Sequence, residues 1–171
     1  MINELLWSSI ALNLKDEDLF KLLENTNQPL KYYIFKIYLL VICIGLPLAI
    51  FLGFLFPNAA VPDFELGTEV FVGAVLISPI LETILMIPVI YLLRKTTTNI
   101  VVVSILSALI WGGVHSMQVP LWGVGVFTLF FMMSMAYQYW DAHSRGHALF
   151  VVTIIHALNN ATFFLLGLLE S

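Results

Sequence analysis

"SPILETILMIPVI", residues 78–90, is the stretch that decides the fold. It is apolar on both sides of one acid, Glu82, and the nearest charged residues are Glu69 before it and Arg94 after it. A long apolar run reads as a membrane span. An ionisable group inside a span costs a few kcal/mol to place there, which makes it a functional candidate by default.

The rest of the chain agrees with a membrane setting. Its 171 residues are 60% hydrophobic and only 11% charged, with a mean hydropathy of +0.97. A soluble domain carries roughly 25% charged residues. Most of this chain must therefore face lipid or protein, as in a polytopic membrane protein. The net charge of −4, without a basic cluster, offers nothing to nucleic acid. The single cysteine, Cys43, falls in an apolar span and reads as a small buried hydrophobe.

Five spans of about 20 residues can be drawn. They run over about 31–56, 69–93, 99–115, 120–140 and 148–169. Pro47 in the first is tolerable in a membrane helix. Residues 1–30 hold no long apolar core and are not read as a cleavable signal. There "LKDEDLFKLLEN" puts Leu14, Leu19, Leu22 and Leu23 near one helical face, as expected for an amphipathic, interfacial or loosely packed segment. Residues 31–171, without linker or repeat, are expected to form one transmembrane domain. With the N-terminus inside, Lys15, Lys21, Lys31, Lys36, Arg94, Lys95 and Arg145 all fall on the cytoplasmic side or at its edge. The other side receives Asp63, Glu65, Glu69 and Glu170. This asymmetry predicts an all-α transmembrane bundle, N-in and C-out.

Few polar groups lie deep in the spans. At about 1.5 Å per residue, Glu82 is roughly 18 Å from the cytoplasmic end of its helix. Ser78 and Thr83 beside it are ordinary small polar residues of helix packing. His115 closes "SALIWGGVH"; Trp111 sits one turn earlier on the same face, and Gly112 and Gly113 allow close helix approach. His156 and Asn160, in "IIHALNNATFF", share a face by their i,i+4 spacing, whereas Asn159 points elsewhere. Singly, each has a structural reading: a protonated carboxyl, an interfacial histidine, an interhelical clasp. Together their depths span roughly 14 to 24 Å, which helix tilt can absorb. One acid, two imidazoles and one amide from three spans can converge on one cavity. His143 and His147 flank "SRG" in a short loop, where solvation suffices, and Asp141 and Arg145 read as a helix-end ion pair.

The set suits peptide hydrolysis without a Ser or Cys nucleophile. A carboxylate in an apolar site beside an imidazole is the setting of a general base acting on water. His156 and Asn160 can donate to an oxyanion, and His115 can orient water or substrate. Alternatively Glu82, His115 and His156 can ligate a divalent metal such as zinc, since three N/O ligands plus water suit a catalytic site. The sequence leaves both open.

At these residues the chain resembles the CAAX-protease and bacteriocin-processing family of intramembrane proteases, which includes the Rce1-like endopeptidases. Three motifs carry the resemblance over about residues 70–168. Pro79 and Glu82 match a Pro preceding Glu-Glu-x-x-x-Arg, Trp111 and His115 match aromatic-x-x-x-His, and His156 and Asn160 match His-x-x-x-Asn/Asp. Thr83 replaces the second Glu as a supporting residue, and Ile87 replaces the Arg. The resemblance implies an Rce1-like helical core and a glutamate-activated water, with His and Asn stabilising the tetrahedral intermediate. It also implies a membrane-associated peptide substrate, such as a CAAX tail, a leader or a sorting signal, and a setting such as the bacterial inner membrane. The family is often labelled metalloprotease, though water activation need not require a metal. A non-catalytic binding or immunity protein of the same fold stands as the alternative. A proton-coupled carrier is the weaker one, given the small size and the lack of an inverted repeat.

Overall fold

The computed structural model describes residues 16–60 and 67–170, and the described residues are helical without strands. Helix α1 spans Asp16–Glu24, α2 Leu30–Leu55 and α3 Thr68–Leu93. Helix α4 spans Ile100–Ser116, α5 Trp122–Asp141 and α6 Arg145–Glu170. Each of the five expected spans lies on one of α2 to α6. Helices α2, α3 and α6 are long and apolar enough to cross a membrane, and α4 is a shorter apolar helix of 17 residues. The chain is a polytopic helical bundle.

Helix α5 is the axis of that bundle. Twelve of its 20 residues are buried, so its neighbours cover it on most sides. Helix α2 packs on it through Tyr33, whose ring meets Trp140 edge-on at 5.3 Å. Between α4 and α5, Ser134 Oγ donates to Ser107 Oγ at 2.9 Å, and Gln138 Nε2 to Ser104 Oγ at 2.9 Å. Such interhelical bonds hold helices together where the hydrophobic effect cannot, because lipid is as apolar as the core.

Backbone contact is closest where Gly112 of α4 meets Gly123 of α5. A Cβ on Gly112 would stand 3.0 Å from the Gly123 carbonyl, and one on Gly123 would collide with the Gly112 carbonyl. Gly113, expected to share this role, faces open space instead. Helix rotation places only one of two adjacent glycines in a seam.

Outward faces are apolar too. On α3, Pro79, Thr83, Met86 and Ile90 turn inward, while Ile80, Leu81, Ile84 and Leu85 are each about half exposed. Cys43 also faces outward, which corrects its reading as a buried hydrophobe. A lipid-facing surface needs apolar side chains as much as the core does.

The described cations gather at one end. Arg94, which caps the end of α3, and Arg145, which starts α6, both approach Asp141, at 4.0 and 3.4 Å. Thr26 Oγ1 bonds His143 Nε2 at 2.8 Å, so the start of α2 reaches the same end. Residues 1–15 lie outside the described residues. The described part of the N-terminal segment docks on the bundle: Leu23 of α1 is fully buried and its carbonyl accepts from the Tyr33 hydroxyl at 2.8 Å.

Candidate functional site

Three helices bring the expected residues together, and α3 does so through an irregularity. Its segment Val72–Ile77 is π-helical, and the Ser78 N–H reaches back to the Gly73 carbonyl. Continuing that i−5 register would pair Ala74 O with the next N–H, but the next residue is Pro79, which has none. Asn160 Nδ2 supplies the missing donor, at 2.8 Å from Ala74 O. The first and third motifs are thus joined through a backbone carbonyl two turns before Glu82. Asn159 Nδ2 in turn donates to Asn160 Oδ1 at 3.3 Å, so Asn159 is buried beside the site rather than pointing away from it.

Glu82 is held from its own helix. Ser78, one turn earlier, donates its hydroxyl to Glu82 Oε1. The other oxygen, Oε2, is buried and has no hydrogen-bond partner among the described residues. It faces His115 Nε2 at 3.7 Å and His156 Nε2 at 3.9 Å. Both distances are too long for direct hydrogen bonds.

His115 is fixed from behind, whereas His156 Nδ1 is buried without a hydrogen-bond partner among the described residues. His115 Nδ1 lies 2.8 Å from the Trp111 carbonyl, which can only accept, so the proton sits on Nδ1 and Nε2 is left to face Glu82. The Trp122 ring meets His115 edge-on at 4.8 Å. Phe130 of α5 stacks on Trp111 at 5.0 Å and lies 5.4 and 5.6 Å from the rings of His115 and His156. His156 is only 3% exposed. An aromatic wall thus sets both rings and keeps bulk water from them.

Glu82, His115 and His156 come together as expected. Asn160 joins them through the backbone of α3. Thr83 is fully buried, and its hydroxyl has no partner among the described residues. Sequence reasoning missed Ser78, although its i,i+4 spacing to Glu82 was visible. It also missed Phe130 and Trp122, which nothing distinguishes from other aromatics in an apolar helix. The metal alternative asks Glu82, His115 and His156 to close around one ion. Among the described residues, no three His, Cys, Asp or Glu side chains are arranged to hold one.

A helical membrane bundle enclosing a carboxylate and two imidazoles is the class of protein that fold and site define. A family model described as Type II CAAX prenyl endopeptidase Rce1-like matches residues 65–162, more than half of the chain. The chain belongs to this family of membrane proteases, and the matched residues include Glu82, His115, His156 and Asn160. No curated protein and no solved structure matches the chain.

Proposed function

We propose that this protein is an intramembrane endopeptidase that hydrolyses a peptide bond of a membrane-associated substrate with a water activated by Glu82. The observation that carries this reading is the convergence of two imidazole Nε2 atoms on Glu82 Oε2, at 3.7 and 3.9 Å. Glu82 takes a proton from the water as its oxygen bonds to the scissile carbonyl carbon. The carbonyl π electrons move onto oxygen, where His156 and the second amide hydrogen of Asn160 donate to the oxyanion. His115 holds the water in line. Collapse of the intermediate breaks the C–N bond, and Glu82 returns the proton to the leaving amine. A CAAX-type tail, a leader peptide or a sorting signal would each present such a bond, and a bacterial inner membrane with the N-terminus inside suits the charge distribution.

Co-expression with such peptides, read by mass spectrometry of the cleaved ends, tests the proposal. New ends should appear with the wild type and be missing with His156→Ala. Identical ends from both proteins would sink it.

Ser78→Ala is expected to slow cleavage about tenfold, a loss within the range of a hydrogen bond to a charged group. Ser78→Thr keeps the hydroxyl and should stay near wild type. Initial rates of the two variants decide whether the hydroxyl positions Glu82 or merely fills space.

No metal enters these steps. Treatment with 1,10-phenanthroline should leave the cleavage rate within about twofold, because base and oxyanion donors are all side chains. Inhibition reversed by added zinc would instead support Glu82, His115 and His156 as ligands.

A further inference from the structure

A second feature begins a little over one turn from Glu82 along α3 and runs toward the cation-rich end. There the bundle leaves a furrow of about 290 Å³ between α3 and the junction of α5 with α6. Ile87, Pro88 and Ile90 line its apolar part. Its rim carries Arg94 and Arg145 with Asp141 between them. Ile87 stands where the resemblance would place an arginine, which leaves the part of the furrow nearest Glu82 apolar.

The rim is more cationic than its one acid can balance. Asp141 faces both guanidiniums, and Lys95 adds a third cation, its Nζ 4.9 Å from the centre of the Tyr91 ring. The side chains of Arg94 and Arg145 remain 46% and 76% exposed, so most of their donors are free for a ligand. Tyr91 and Leu92 on the neighbouring outer face are largely exposed, so the furrow meets the surface that contacts lipid.

We propose that this furrow is a binding site for an anionic phospholipid, with the phosphate on Arg94 and Arg145 and an acyl chain along Ile87, Pro88 and Ile90. A guanidinium pairs bidentately with phosphate oxygens. A basic recess between membrane helices at the cytoplasmic interface is a headgroup site in chemical terms. A soluble anion would use the rim and leave the apolar part uncovered. A zwitterionic lipid would bring its own cation to an already cationic rim. The occupant would also pack on the helix that carries Glu82, a little over one turn from it.

The test uses the full chain in a neutral detergent. Phosphatidylglycerol and phosphatidylcholine with identical acyl chains are titrated and bound lipid is counted by native mass spectrometry. Wild type should bind phosphatidylglycerol at least about tenfold more tightly than phosphatidylcholine. R94Q/R145Q should lose that preference, and R94K/R145K should retain part of it, which shows that the recess still folds. K31Q/K36Q, which removes two cations from the start of α2, should bind as wild type. Equal binding by R94Q/R145Q and wild type, an equal loss in K31Q/K36Q, or displacement of the lipid by millimolar inorganic phosphate would overturn the assignment.

Discussion

Glu82→Gln is expected to lower the cleavage rate roughly a thousandfold, the middle range for removal of a general base. Gln has nearly the shape of Glu, so the bundle should not repack. Its amide oxygen can still accept from Ser78, as Oε1 does. What it cannot do is take a proton from water. The second amide position would also present N–H groups toward His115 Nε2, where Glu82 now presents an acceptor. Cleaved ends quantified by mass spectrometry should fall to background while thermal unfolding in detergent stays within a few degrees of wild type. Processing at the wild-type rate would end the mechanism. A biological phenotype that survives Glu82→Ala combined with His156→Ala would favour a non-catalytic binding or immunity role. Thr83 and Ile87, which stand where the family pattern has a second acid and an arginine, are the residues that motivate that alternative. Proton flux into proteoliposomes that disappears in Glu82→Gln would favour the carrier.

The second large effect is structural. Gly123→Ala is expected to destabilise the bundle by about 1–3 kcal/mol, the usual penalty of overpacking. The added methyl meets the Gly112 backbone and the Ser116 side chain. Ser116 can rotate away, but the α4 backbone cannot move without opening the seam. Opening it shifts Trp111 and His115 on α4 against Trp122 and Phe130 on α5, so cleavage should fall along with stability. Gly112→Ala should be milder, because its Cβ would stand 3.0 Å from the Gly123 carbonyl and needs a shift of only tenths of an ångström. Gly113→Ala should be neutral, since no atom lies within 4 Å of its added Cβ. Unfolding midpoints followed by tryptophan fluorescence should rank the three in that order. Equal midpoints for Gly113→Ala and Gly123→Ala would contradict the close crossing.

The contrast between Gly112 and Gly113 shows where the sequence stops being informative. In water, a helix advertises its buried face by polarity, because the other face must be hydrated. In lipid both faces are apolar, and the inward row of Pro79, Thr83, Met86 and Ile90 cannot be told from the outward row of Ile80, Leu81, Ile84 and Leu85 by composition. Cys43 was misplaced for the same reason. Phe130 and Trp122 passed unnoticed because an aromatic lining a site resembles an aromatic facing lipid.

By itself the sequence determined the helical membrane class, the approximate positions of helices α2 to α6 and three of the residues that meet, Glu82, His115 and His156. It could do so because ionisable groups in apolar runs are expensive and therefore rare, and helical spacing shows which neighbours share a face. Only the tertiary structure decided which carboxylate oxygen faces the imidazoles, that Ser78 holds the other, and that Asn160 reaches the π-helical turn left short of a donor by Pro79. Those are relations between helices and between backbone registers. A bilayer, apolar toward every face of a helix, leaves no trace of them in a single chain's pattern.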